Sequence, residues 1–206
     1  MARTLPSMTT ERADRTYHHG DLRRAVLAAA EEVIRTEGPH ALSLRDLARR
    51  AGVSHAAPAH HFKDRTGLLT AFATEGWALF AAALQAAPDL RERGVAHVRF
   101  AREHPAHFQV MFQPALLRAD DPALRAATEE AAAALRAGVA GLPTARQTSA
   151  TAPHPRLAGV AAWSLAHGFA SLLLTGNLGD ALEGRAPEDA FREVAAMLFG
   201  PPASGA

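Results

Sequence analysis

Apolar residues recur along this chain of 206 residues at intervals of three and four, and over no useful length at intervals of two. Side chains three or four apart share one face of an α-helix, whereas strict alternation is what a half-buried strand requires. The chain is therefore expected to be all-α, with about nine helices. Leu22, Val26, Ala29, Ala30 and Val33 stripe the first, which Gly38-Pro39 stops. Leu44, Leu47, Ala48 and Ala51 stripe a second, with Ser43 as N-cap and Gly52 at the exit. Ser54 is placed to cap a very short third helix reaching about His61. Asp64 is placed to cap a longer fourth, striped by Leu68, Leu69, Phe72, Leu79 and Phe80 and stopped near Pro88. Further helices are expected at 89–103, at 105–113 behind Pro105, and at 122–139 capped by Asp121. Two more start at Pro155 and Pro187. The string GLPTARQTSATAPHP between them reads as a polar loop.

Composition narrows the function classes. Apolar residues make up 48% of the chain, enough for a sizeable core. The longest apolar run, around 169–174, is too short to cross a bilayer, and no signal peptide opens the chain. No membrane partner is expected. With no cysteine there is neither a disulfide framework nor a thiolate metal site, which fits a reducing, cytoplasmic setting. Net charge is only +1, but residues 1–65 carry eleven Arg and Lys against eight Asp and Glu, and the remainder eleven against thirteen. The N-terminal part is the end suited to meet an anion.

The stretch LSLRDLARRAGVSHAAPAHHFKDRTGLL, residues 42–69, carries most of the functional signal. Two helices of about two turns each are barely stable alone and persist only against longer neighbours. Joined through a tight turn holding Gly52, they have the helix-turn-helix pattern. If Leu44, Leu47, Ala48, Val53 and Phe62 face the core, the other faces carry Arg45, Arg49, Arg50, His55, Ala56, Ala59, His60, His61 and Lys63. Small residues beside hydrogen-bond donors leave a rod slim enough for a major groove about 12 Å wide. The helix starts at Ser43, Ser54 and Asp64 offer free backbone N–H groups to phosphates.

Those residues carry a resemblance. YHHGDLRRAVLAAAEEVIRTEGPHALSLRDLARRAGVSHAAPAHHFKDRTGLL, residues 17–69, resembles the DNA-binding region of the tetracycline-repressor (TetR) family of transcriptional regulators. The matching positions are Gly38; Ser43, Arg45, Leu47, Ala48; Gly52, Val53, Ser54; and Phe62, Arg65, Leu68. The resemblance implies phosphate contacts from Ser43, Arg45, His61, Lys63 and Arg65, and base-edge contacts from His55, Ala56, Ala57 and His60, beside the helix start at Ser54. Ala59 stands where the family usually has Tyr. His18-His19 could extend the contact as an arm.

The second half resembles the family's divergent ligand-binding and dimerisation domain, with Trp163, His167 and Gly168 similar to a Trp-His-Gly subgroup. The expected organisation is a tail at 1–16, a helix-turn-helix domain at 17–65, a helical ligand and dimer domain at 66–200, and a tail at 201–206. Phe100, His104, Phe108, Met111, Phe112, Trp163 and His167 are the expected pocket for a small, mostly apolar effector. Leu157, Val160, Leu165, Leu172, Phe191, Val194 and Leu198 are the expected dimer interface, which Gly159 and Gly168 would let helices approach closely. The partners implied are double-stranded operator DNA, a second copy and an unknown effector, with a repressor's role. His104-x-x-His107 and His97 lack companion ligands, so no metal and no cofactor are expected. No catalytic signature is present and the chain is read as no enzyme. The rivals are a small all-α enzyme using the C-terminal histidines and a helical adaptor that ignores DNA.

Overall fold

The computed structural model describes residues 10–141 and 155–199, with side chains described over 22–141 and 156–197. Residues 1–9 of the expected N-terminal tail, 142–154 of the polar loop, residue 200 and the expected tail at 201–206 lie outside the described residues. Among those described, all regular structure is helical: ten α-helices and two short 3-10 turns. They are α1 (Thr10–Glu37), α2 (Leu44–Arg50), α3 (Ala57–Phe62), α4 (Arg65–Ala86) and α5 (Leu90–Glu103). Then come α6 (Pro105–Met111), α7 (Pro122–Ala140), α8 (Pro155–Leu174), α9 (Gly179–Leu182) and α10 (Pro187–Phe199). The one helix beyond expectation is α9, a single turn too short to show a periodic stripe. α1 takes in residues 10–16, expected as part of a tail, and carries His18 and His19 on its backbone; their side chains are outside the described residues. Packing divides the chain between Ala71 and Phe72, inside α4.

In the first unit the apolar stripe of α1 supplies Val26, Leu27, Ala30, Val33 and Ile34, all buried. Against it lie Leu47 and Ala48 of α2, Pro58 and Phe62 of α3, and Leu68 and Leu69 of α4. Leu44 and Val53, expected inside, are only half-buried. α2 ends in a Schellman motif: the Val53 N–H donates to the Ala48 carbonyl at 3.0 Å and the Gly52 N–H to Arg49 at 3.2 Å, with Gly52 at φ 66°. The expected cap at Ser54 is not made. α3 starts at Ala57, with Ala56 at the cap position and only the Ser54 carbonyl engaged, accepting from the Ala57 N–H at 3.0 Å. Pro58 fixes that start, because its missing N–H is harmless only in a first turn. Asp64 does cap α4, its Oδ1 accepting from the Gly67 N–H at 2.8 Å.

In the second unit α5 is the central helix, packed by α6, α7, α8 and α10. Val95 and Val98 of α5, Ala166 of α8, and Phe191 and Ala195 of α10 make one cluster; Leu90, Val139 and Ala158 make another. Asp89 caps α5 through the Glu92 N–H, and Asp121 caps α7 through Ala123 and Leu124. Arg192 of α10 holds Glu92 of α5 in two parallel hydrogen bonds of 2.9 and 3.0 Å, which keep the Glu92 carboxyl below its usual range. By length and composition α4 and α8 both reach what a membrane span needs, contrary to the inference from the longest apolar run. An interrupted stretch also reaches it, and a core helix such as α4, half of whose apolar window is buried, passes the same test. α8 is different: only 17% of its window is buried.

Candidate nucleic-acid interface and ligand cavity

α3 turns two sides to different surroundings. Pro58 and Phe62, four residues apart, point inward, while His55, Ala56, Ala59, His60 and Lys63 are exposed and Ala57 and His61 half-exposed. The outward face is thus a row of alanines edged by imidazoles and an ammonium. On α2, Ser43 and Arg45 are exposed, and Arg45 has no ion-pair partner among the described residues. Arg49 and Arg50 both donate to Asp46 at 2.6 Å, and those bonds, Arg50's first, hold the Asp46 carboxyl below its usual range. Arg65 points elsewhere than the phosphate contact its place in the family pattern implies. Half-buried, it donates from Nη2 to the Pro39 carbonyl at 2.6 Å, locking the end of α1 to the start of α4. Lys63 sits at φ 69°, ψ −60°, and the Asp64 N–H donates to the Phe62 carbonyl at 2.9 Å. That is a γ-turn of the strained hand, in a lysine.

The second unit contains a cavity of about 250 Å³ walled by α4, α5, α7 and α8. Trp77, Phe80 and Leu84 of α4 face Ala131, Ala132 and Leu135 of α7, with Ala162, Trp163 and Ala166 of α8 closing it. Arg93 and His97, one turn apart on α5, are its most polar wall, with Thr128. Of the seven pocket residues expected from sequence, only Trp163 lines this space. Phe100, Phe108 and Met111 are buried in the core instead, because the face of α5 and α6 that carries them packs inward. Phe108, Phe112 and His167 form an aromatic layer behind the wall, with the His167 ring 5.1 Å from Phe108 and 4.4 Å from Phe112. The His104 ring lies tilted against Phe100 at 5.0 Å and is 5.9 Å from His107.

His97 is the polar residue that sequence reading passed over as a candidate metal ligand. It is 3% exposed, its Nε2 has no hydrogen-bond partner, and burial, aided by His167, pushes its pKa down to about 3. The ring is therefore neutral at physiological pH. His167 is lowered too, by burial. The signal available in sequence was the i, i+4 pair Arg93 and His97 on one face of the amphipathic α5, opposite alanine-rich stretches too small to fill the space.

Residues 26–72 match the family described as bacterial regulatory proteins, tetR family, and residues 90–198 match the tetracyclin repressor-like C-terminal domain. The chain belongs to the TetR family. Among solved structures, a protein of unknown function from Rhodococcus sp. RHA1 is 33% identical over 89% of this chain and 96% of its own, with a TM-score of 0.69. A regulatory protein of the tetR family from Rhodococcus RHA1 shares the fold at 20% identity, over 88% and 98% of the two chains, with a TM-score of 0.68. So does AibR, solved in complex with isovaleryl coenzyme A and operator DNA, at 18% identity over 87% and 99%, with a TM-score of 0.65. No curated protein matches the chain at a significant level. These likenesses cover both units of this TetR-family chain, but not a subgroup defined by Trp163, His167 and Gly168.

Three of the seven residues expected between two copies, all on α8, are exposed in this TetR-family chain. Leu157, Val160 and Leu172 of α8 are 62%, 54% and 46% exposed, and Met197 of α10 is 81% exposed. Leu165 and Val194 are half-buried. Phe191 is a correction: it is 2% exposed, packed in the protomer's own core against Gly94 of α5, and has no surface to offer a partner. The side chain of Leu198 lies outside the described residues.

Proposed function

We propose that this chain is a homodimeric transcriptional repressor that leaves a palindromic operator when a small, mostly apolar ligand fills the cavity of its second unit. The observation carrying the reading is the outward face of α3. A strip of alanines flanked by His55, His60 and Lys63 has no task in the protomer's core and is narrow enough for a major groove. Ser43, Arg45, Ser54, His61 and Lys63 are assigned to phosphates, and His55, Ala56, Ala57 and His60 to base edges. Arg65 is assigned to positioning, through Pro39. The neighbour solved with an acyl thioester and operator DNA supports the pairing of a ligand with an operator.

The exposed face of α8 supports the dimer. Leu157, Val160 and Trp163 recur at three-residue spacing, and Gly168 on the same helix has nothing within 4 Å of its Cβ position, so a second helix meets no obstacle there. A water-exposed apolar stripe of that length is costly in a lone protomer. A ligand acts by binding one dimer geometry better than another. α4 is the route, since Trp77, Phe80 and Leu84 line the cavity and the same helix begins at Arg65 in the first unit. Such a regulator works where the chromosome is, in the cytoplasm.

The test is retardation of a fragment from the gene's own upstream region, at several salt concentrations. Wild-type protein retards it with strong salt dependence. His60→Ala and Arg45→Ala each weaken binding about tenfold or more and leave the dimer intact. Equal retardation by all three proteins means the assigned face is the wrong one.

A further inference from the structure

We propose that the cavity of the second unit takes an apolar monocarboxylate, its tail against Trp77, Phe80 and Trp163 and its carboxylate on the guanidinium of Arg93. This rests on reading that cavity as the effector site. Arg93 is the only charged residue in a wall otherwise made of aromatic, aliphatic and alanine side chains, His97 and Thr128.

Its guanidinium is held in place yet left without a counter-charge. Nε donates to the Leu84 carbonyl at 3.1 Å and Nη1 to the Ala134 carbonyl at 2.7 Å. Gly138 makes the second bond reachable, since a Cβ there would lie 2.5 Å from Nη1. Two of the five N–H groups are thereby engaged, and Nη2 has no acceptor among the described residues. No carboxylate pairs with Arg93 among the described residues. Carbonyl dipoles orient a guanidinium but do not neutralise it, so an anion brought beside it gains a charge-assisted pair in a fixed geometry.

The alternatives fail on charge. An amine head would face Arg93 with no carboxylate in the wall to hold it. An alcohol would leave the guanidinium uncompensated. A dianion would bring one negative charge more than the cavity balances. His97, one turn along the same face, adds an unpartnered Nε2 without adding charge, because its ring is neutral. At about 250 Å³ the space lies just below the roughly 300–1,000 Å³ usual for ligand pockets, so the acid is small.

The experiment is titration calorimetry of the purified full chain at neutral pH with octanoate, octan-1-ol and octylamine, three probes with one tail and three heads. Octanoate binds about tenfold or more tighter than either of the others. Arg93→Met removes that preference, read as the ratio of octanoate to octan-1-ol affinity, and Arg93→Lys, which keeps the charge without the fork, retains part of it. The ranking on wild-type protein decides the matter even where a variant folds poorly. Binding of the alcohol or amine as tightly as the acid, or binding of none of the three, overturns the proposal. Retardation of upstream DNA is scored separately. Protein that retards DNA but ranks octan-1-ol first has lost the carboxylate head alone. Protein that ranks octanoate first through Arg93 but retards no DNA keeps the head and loses the regulatory reading.

Discussion

His97 shows how far a single side chain departs from its behaviour in water. Its ring lies 4.9 Å from Phe80, 5.7 Å from Phe108 and 5.6 Å from His167, and no carboxylate is near it to favour the charged form. Folding thus keeps neutral a group that the unfolded chain protonates below its ordinary value of 6.5. Below that value the unfolded state binds more protons, so stability falls as pH falls, from 6.5 down toward 3, and is unaffected above 6.5. By pH about 5.5 the loss from this one residue is about 1.4 kcal/mol. Urea unfolding at a series of pH values measures it. His97→Phe, which keeps a ring of similar size, flattens much of the dependence between about pH 6.5 and 5, above the range where the paired Glu92 and Asp46 carboxyls take up protons, and leaves the part due to His167. An unchanged slope in that variant assigns the effect to another group.

At the scale of elements, the features legible in sequence were those that local chemistry dictates. Gly52 ends α2 because a positive φ there suits no other residue as well, and the Asp64 and Asp121 caps sit where an acceptor precedes a stripe. The start of α3 was not legible, since Ser54 and Ala56 compete for it and Pro58 decides only once packed. Nor was the strain at Lys63, which follows from joining α3 to α4 in two residues. That junction has a measurable consequence. Glycine adopts the Lys63 conformation without the Cβ clash, so Lys63→Gly is about 1 kcal/mol more stable to denaturant than Lys63→Ala, reversing their usual order in a folded chain. Both variants lose the phosphate contact proposed for Lys63 and are expected to bind the upstream fragment more weakly, with a shallower salt dependence. If the alanine variant is the more stable, the turn holds no strain and Lys63 is there for its charge alone.

For the whole molecule, the sequence indicated helices and faces but not which faces converge. The aromatic residues of α6 drew attention because they cluster in the chain, whereas the cavity opens where Ala131, Ala132, Ala162 and Ala166 fail to fill the space opposite Trp77 and Phe80. Burial is a property of several helices at once, and the same reason placed Phe191 inside the protomer. The α8 face is the converse, apolar residues that the protomer leaves in water. If two copies cover it, two charges placed there must be desolvated on association, at several kcal/mol each. On the proposed dimer, Leu157→Glu with Val160→Glu is therefore expected to sediment as a monomer at micromolar concentration, and wild type as a dimer. Helix content stays unchanged, because both side chains are exposed in the protomer. Operator affinity falls roughly 10²–10⁴-fold, since a monomer grips one half-site and loses the effective concentration that a linked second head supplies. His60→Ala separates the two roles by weakening DNA binding while sedimenting as wild type does. A double variant that still sediments as a dimer moves the interface off α8, and the exposed Leu157 and Val160 then require a different occupant.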